Sequence, residues 1–243
     1  MLADRIAIVT GAGQGIGRAI AIELARAGAD VVACGRRLEP LEAVAKEVRG
    51  LGRRALALSC DVQDAAQVDR VVAETGRALG PVDLLVNNAG YRIRAPLDQL
   101  PHREWNAMVG TNLTGVFLFC QAAARVMIPR KSGKIVNVTS VAGRTGSRGM
   151  AAYAAAKAGV TALTQSLGAE WARHGITVNA VAPGPTETEG VLEVWKTEAM
   201  IAQAAREVPL GRLGRPEEVA WAVVFLGETL YVSGGPRVSN RED

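Results

Sequence analysis

Tyr153 and Lys157 lie four residues apart in an Ala-rich segment, MAAYAAAKAGV, and Ser140 ends an apolar run, KIVNVTS. On a helix, a spacing of four puts two side chains on one face. A free phenol titrates at about 10, too high for efficient proton transfer at neutral pH. A neighbouring ammonium favours the phenolate and is expected to lower that value. Tyr153 can then give a proton to a carbonyl oxygen or take one from an alcohol, while Ser140 orients the same oxygen. The hydride must come from an organic carrier, so this chemistry requires no metal. Singly, each residue has an ordinary explanation. A Tyr–Lys pair on a helix is commonly a surface pair, and a serine after a strand is commonly a turn or cap residue.

The trio needs a frame. Short apolar runs at 5–9, 31–34, 55–59, 82–86, 134–139, 176–182 and 230–233 alternate with helical patterns near 16–27, 39–49, 64–79, 102–128, 151–173, 188–206 and 216–226. Most runs are rich in Val, Ile and Leu without polar alternation, which suits strands buried on both faces. The alternation predicts βαβ units with right-handed crossovers. Gly and Pro fall between elements, at Gly50–Gly52, Gly80–Pro81 and Pro183–Pro185. No linker, repeat or low-complexity tract intervenes. The expected fold is α/β: a doubly wound Rossmann arrangement with a seven-stranded, mostly parallel sheet and helices on both faces. Residues 1–243 would form one dinucleotide-binding catalytic domain.

The first run leads into TGAGQGIG at residues 10–17 and then an amphipathic helix. Gly11, Gly15 and Gly17 let the backbone turn tightly and approach a ligand, with Gly13, Gln14 and Ile16 between them. The helix start offers unpaired N–H groups and a positive dipole end to a pyrophosphate. A glycine pattern alone is a weak signal, but a position between strand and helix is the context this one requires. The G-x-x-x-G-x-G spacing after a threonine, NNAG at 87–90, Ser140, the Tyr153/Lys157 helix and Pro183–Gly184 follow one another along the chain. In types, order and spacing they resemble the short-chain dehydrogenase/reductase family, from residue 5 to about 226.

The resemblance implies a catalytic set of Ser140, Tyr153, Lys157 and Asn112, the last in GTNLTG. Asn112 would help hold a proton-relay water near Lys157, and Lys157 would also bond the nicotinamide ribose. Asp61 and Val62 would hold the adenine, and Asn88, Ala89 and Gly90 would flank the cofactor. Pro183, Gly184, Thr186 and Thr188 would pack beside the nicotinamide carboxamide. Where the family places an acid that favours NAD, at the end of the second strand, this chain has Gly35, followed by Arg36 and Arg37. A doubly negative 2′-phosphate suits a guanidinium fork, so NADP(H) is expected over NAD(H).

The subfamily most resembled is the 3-oxoacyl-acyl carrier protein reductases. Lys131 and His174 stand where those enzymes carry arginines, beside Arg130 and Arg173. The substrate is expected to be a carbonyl or secondary alcohol, as a small molecule or on an acyl carrier, since the fold does not choose among them. Residues 188–212 are amphipathic and flanked by Gly and Pro, as substrate lids are. Leu192, Trp195 and Met200 there would either line an apolar pocket or pack the lid on its own domain. The resemblance also implies a homo-oligomer, a tetramer built through the small-residue helix at 151–173.

Composition limits the alternatives. Hydrophobic residues make up 49% of the chain, charged residues 21% and aromatics 4%. A core of Ala, Val, Leu and Ile follows, and disorder is not indicated. Lys and Arg number 28 against 24 Asp and Glu, scattered along the chain. That distribution does not suggest nucleic acid, which calls for a clustered patch. No apolar run looks long enough to cross a bilayer, and no signal-peptide pattern opens the chain. Cys34, Cys60 and Cys120 are widely spaced and read as buried hydrophobes. A cytoplasmic setting is expected. One departure stands out. The connection from Leu226 to TLYVSGG is about nine residues shorter than the resemblance implies. The competing reading is a catalytically silent nucleotide-binding sensor or scaffold, which the short connection favours and the complete catalytic set opposes.

Overall fold

The computed structural model describes residues 2–192 and 197–228. Its centre is β1 (Ile6–Thr10), whose five residues are all buried. Beside it run β2 (Asp30–Gly35), β3 (Ala55–Ser59), β4 (Leu84–Asn87), β5 (Gly133–Val138) and β6 (Ile176–Val181). The strand order is β3-β2-β1-β4-β5-β6, and every pair is parallel. The order reverses at β1, so the crevice lies at the carboxyl ends of β1 and β4.

The helices among the described residues are α1 (Gly15–Arg26), α2 (Leu38–Gly50), α3 (Ala65–Ala78), α4 (His102–Val109), α5 (Gly115–Arg130), α6 (Ala142–Thr145), α7 (Ala151–Trp171), α8 (Glu189–Leu192), α9 (Glu198–Arg206) and α10 (Pro216–Gly227). Alternate residues of each strand serve two cores. Ala7 and Val9 of β1 join α1, α2 and α10 through Ile20, Leu24, Leu41 and Val223. Ile8 joins α3, α5 and α7 through Val68, Phe119, Met127 and Val160. Apolar matter on both faces explains why the strands carry no polar alternation.

Three expectations change. The described sheet has six strands, not seven, and the run at 230–233 lies outside the described residues. The short connection after Leu226 is described as Gly227, the last residue of α10, and Glu228, and all that follows Glu228 lies outside the described residues as well. The single helix expected over 102–128 is α4 and α5 joined by a π-helical turn, Gly110–Thr114. That turn is closely packed against the loop after β3. A Cβ on Gly110 would lie 2.0 Å from Gln63 Oε1, and one on Gly115 would lie 2.6 Å from Val62 Cγ2. Joined in this way, His102–Arg130 is long and apolar enough to span a membrane by composition alone. Its apolar residues Phe119, Cys120 and Met127 are instead buried in the second core, which marks it as a core helix.

Asp30 fixes the start of β2. Its side chain is 3% exposed and ion-paired to Arg53 and Arg54 at 3.0 and 2.7 Å. It also accepts from the backbone N–H of Arg54 at 2.9 Å. Burial pushes its carboxyl up, but the bonds from Arg54 and the charges of Arg53 and Arg54 outweigh that and hold it below its ordinary value. A lowered folded-state value means that the contribution is complete above the usual carboxylate range and fades as pH falls through the lowered value. Asp30→Ala should cost about 1.5–3 kcal/mol at neutral pH. In urea titrations the gap from the parent should close with acidification. A gap that persists in acid would show that the carboxylate charge is not its source.

Candidate active site

The crevice is a cavity of about 760 Å³. At one end is the turn between β1 and α1. Gly11 and Gly15 adopt left-handed φ of 66° and 54°. A Cβ on Gly17 would lie 2.1 Å from the Gly11 carbonyl oxygen, which no side chain tolerates. Gln14 precedes α1 in extended conformation and offers no side-chain cap, so the first N–H groups of α1 keep their donors for a ligand. Gly11, Gly13, Gln14, Gly15, Ile16 and Gly17 all line the cavity.

The turn is braced from β4. Thr10 Oγ1 accepts from the N–H groups of Asn88 and Ala89, each at 3.0 Å. Asn88 Nδ2 donates to the carbonyl oxygens of Thr10 and Gly11 at 3.0 and 3.3 Å. Asn88, Ala89 and Gly90 therefore reach the cavity as expected. Arg36 and Arg37 line it at the end of β2. Arg37 donates to the Gln14 amide oxygen, and neither arginine is ion-paired among the described residues.

At the other end are Ser140, Tyr153 and Lys157. Ser140 sits two residues past β5, its Oγ accepting from Ala142 N–H at 3.2 Å. Gly143 lets that segment press on α7, since a Cβ there would stand 2.8 Å from the Ala158 nitrogen. A buried ladder pegs α7 to the sheet. Asn87 Nδ2 donates to Asn137 Oδ1 at 2.9 Å, and Asn137 Nδ2 donates to Thr164 Oγ1 at 2.9 Å.

Lys157 is 3% exposed, and its Nζ donates to the Val138 carbonyl at 2.7 Å. Desolvation with no carboxylate partner lowers its pKa to about 8. Its Nζ lies 5.8 Å from the centroid of the Tyr153 ring. The expected depression of the Tyr153 pKa is not found. Burial dominates and raises it, against a hydrogen bond from Ser140 and the charge of Arg92. The Lys157 ammonium is committed to a backbone carbonyl instead of the phenol.

Asn112 is fully buried on the π turn, and its Nδ2 donates to the carbonyls of Tyr91 and Met108 at 2.9 and 3.0 Å. Its Oδ1 is buried without a hydrogen-bond partner. That oxygen and Lys157 Nζ would lie 2.5 and 3.6 Å from a Cβ on Gly90, so both face the same small space.

Pro183, Gly184, Thr186 and Thr188 line the wall after β6. Thr186 Oγ1 donates to the Gly184 carbonyl, and the Thr188 methyl would stand 3.2 Å from a Cβ on Gly15. Asp61 and Val62 are not in the wall. Asp61 accepts from Gln63 N–H at 3.0 Å, and Val62 is buried with Gly115 against it. Of the lid, Glu189, Gly190 and Val191 reach the cavity, and Met200 of α9 is 46% exposed and does not. Trp195 and the side chain of Leu192 lie outside the described residues. Lys131 and His174 precede β5 and β6, at the sheet edge opposite Ser140. Arg130 is bound to Asp83 at 2.7 Å. Among the wall residues that sequence reasoning missed is Arg92. Its signal was its place two residues beyond NNAG, at the ligand-binding edge.

The family model for short chain dehydrogenases matches residues 5–199. A gluconate 5-dehydrogenase of Gluconobacter oxydans is 40% identical over 242 residues, covering 96% of this chain and 94% of that protein. A 3-oxoacyl-[acyl-carrier-protein] reductase of Synechocystis sp. is 40% identical over 246 residues, covering 96% and 97%. Among solved structures, an actinorhodin polyketide ketoreductase variant with NADPH superposes with a TM-score of 0.89 at 38% identity, covering 94% and 92%. A short-chain type dehydrogenase/reductase from Mycobacterium marinum gives 0.90 at 36%, covering 96% and 93%.

Two substitutions test this geometry. Gly17→Ala should lower the melting temperature and abolish nucleotide binding, and a variant that bound normally would show that the turn tolerates a side chain. The second concerns Lys157, a base whose folded-state pKa is depressed. The cost of burying its charge is therefore full below about 8 and relieved as pH rises toward 10.5. Measured against Lys157→Met, the parent chain should gain stability over that interval. A flat difference would mean that the ammonium is not desolvated.

Proposed function

Because this chain belongs to the short-chain dehydrogenase/reductase family of NAD(P)-dependent oxidoreductases, we propose that it interconverts a carbonyl and a secondary alcohol, with NADP(H) preferred over NAD(H). The reading rests on one arrangement: Ser140, Tyr153 and Lys157 share a cavity wall whose far end is the Gly11–Gly17 turn. The residues present fit a dinucleotide. The α1 start has free N–H donors, the turn has room only for glycine at Gly17, and Arg36 and Arg37 are free of carboxylates. The turn would hold the pyrophosphate, the two arginines a 2′-phosphate, and Thr186 and Thr188 the carboxamide end. When bound, the nicotinamide supplies or accepts the hydride.

The chain's own residues handle the proton. A phenol held above its ordinary pKa is protonated at neutral pH, so Tyr153 has a proton to give to a carbonyl oxygen, and the neighbouring cations must offset the cost of releasing it. The Ser140 hydroxyl shares the wall with the phenol and favours the phenolate. Lys157 is the adjacent buried cation that steadies a phenolate once the proton has left. Asn112 Oδ1 is an unused acceptor facing Lys157, suited to a water that replaces the proton.

We further infer one catalytic domain over residues 1–243, a lid at 188–212, a cytoplasmic setting consistent with three free buried cysteines, and a homotetramer. The tetramer is supported by half-exposed Phe117 on α5 and the small residues of α7. A monomer in sedimentation velocity would refute it. The substrate is a small molecule or an acyl-carrier thioester. The relatives' names cover both a sugar acid and a 3-oxoacyl group.

Tyr153→Phe should reduce turnover about 10²- to 10⁴-fold while leaving nucleotide affinity in place. Unchanged turnover would remove Tyr153 from the mechanism. Replacing Arg36 and Arg37 together by Ala should weaken NADPH about 10- to 100-fold and NADH much less. Equal losses for both nucleotides would show that the two arginines do not select the 2′-phosphate.

A further inference from the structure

The cavity wall holds a cation that neither nucleotide binding nor proton transfer uses. Arg92 lines the same space as Ser140, Tyr153 and Lys157. It has no hydrogen bond or ion pair among the described residues. Its charge reaches the Tyr153 phenol and favours the phenolate. The surroundings repeat the sign. Residues 91–96 (YRIRAP) and 141–150 (VAGRTGSRGM) contain Arg92, Arg94, Arg144 and Arg148 and not one acid. The two segments touch: Ala95 N–H donates to the Gly149 carbonyl at 2.9 Å, and Arg94 Cγ would stand 3.1 Å from a Cβ on Gly149.

All four of these arginines are exposed and unpaired among the described residues. Elsewhere the chain pairs its arginines freely, as in Arg18 with Glu47, Arg125 with Asp69 and Arg212 with Glu218. Unpaired like charges on one rim repel each other and do nothing for the fold. The described acid in the wall, Glu189, stands near Gly15 at the phosphate end, with its Oε2 3.6 Å from that glycine's Cβ position. Glu104 acts on Tyr91 from outside the wall, so within the wall itself the proton-transfer end carries positive charge alone.

We propose that the substrate is an anionic carbonyl compound, bearing a carboxylate or phosphate that docks on Arg92 while its carbonyl faces Tyr153. This rests on the oxidoreductase reading above. A guanidinium fork matches either anion in bidentate fashion. The rim arginines beyond it draw the anion toward the mouth, an effect that salt screens.

The test is NADPH oxidation with matched pairs: 2-, 3- and 5-oxo acids against their methyl esters, and dihydroxyacetone phosphate against dihydroxyacetone. The parent chain, Arg92→Gln and Arg92→Lys are compared at low and high salt. In the parent, kcat/KM for the best anion should exceed that of its neutral partner at least about tenfold. The ratio should collapse in Arg92→Gln through KM, recover partly in Arg92→Lys and fall with salt, with the Kd for NADPH unchanged. The carboxylate and phosphate arms show which anion is meant. Neutral substrates reduced as well as the anions, or a preference that survives Arg92→Gln, would overturn the inference and leave the oxidoreductase reading standing. Weaker NADPH binding in Arg92→Gln would reassign Arg92 to the nucleotide and also overturn it. Bound NADPH with no member of the panel reduced would count against both.

Discussion

One hydroxyl group ties the two strand ends on which the crevice depends. Thr10 Oγ1 donates to the Val86 carbonyl at 3.4 Å and accepts the N–H groups of Asn88 and Ala89. The side-chain amide of Asn88 returns the link to the backbone of Thr10 and Gly11. These are buried or half-buried polar groups satisfied by one another at the point where the sheet changes winding direction. The glycine turn cannot shift relative to β4 without breaking several of them. Gly11 and Gly17 then follow as necessities, because the backbones are drawn too close for a Cβ.

The proton-transfer end is fixed by a similar device, one strand farther out. Asn87, Asn137 and Thr164 form a side-chain chain from β4 through β5 to α7, in a core otherwise apolar. A partly satisfied network there would destabilise the fold. A satisfied one specifies a single register for α7 against the sheet. That register decides where Tyr153 and Lys157 point. Two buried hydrogen-bond networks thus stand at the two ends of the cavity, with apolar packing between them.

Much of this was legible in the sequence because it depends on local spacing. The strand runs, the glycine turn and the Tyr153/Lys157 spacing are properties of neighbours along the chain. What escaped depends on the surroundings of a residue. The Tyr153 titration was expected to fall because a lysine is near. It rises because burial outweighs charge and Lys157 is bonded to Val138. The π turn is flanked by glycines packed closely on Gln63 and Val62, about 50 residues away in sequence, a contact that no helical period announces. Asp61 and Val62 serve in the described structure as a loop clasp and a packing surface, roles that a motif position does not reveal. Arg92 carries no motif of its own, and its place just beyond NNAG gained meaning only once the wall was assembled.

The end of β5 serves two masters. The Val138 carbonyl anchors the Lys157 ammonium, and Ser140, two residues on, stands in the same wall as the Tyr153 phenol. A disturbance that displaces β5 therefore carries the serine and the lysine anchor together, as a common-mode shift that leaves their mutual alignment intact. Only motion of α7 against β5 is differential, and that is the coordinate the Asn137–Thr164 bond restrains. Drift in the distant core can thus accumulate over evolutionary time with little effect on the alignment of the reacting groups. The joint between α7 and β5 has no such latitude.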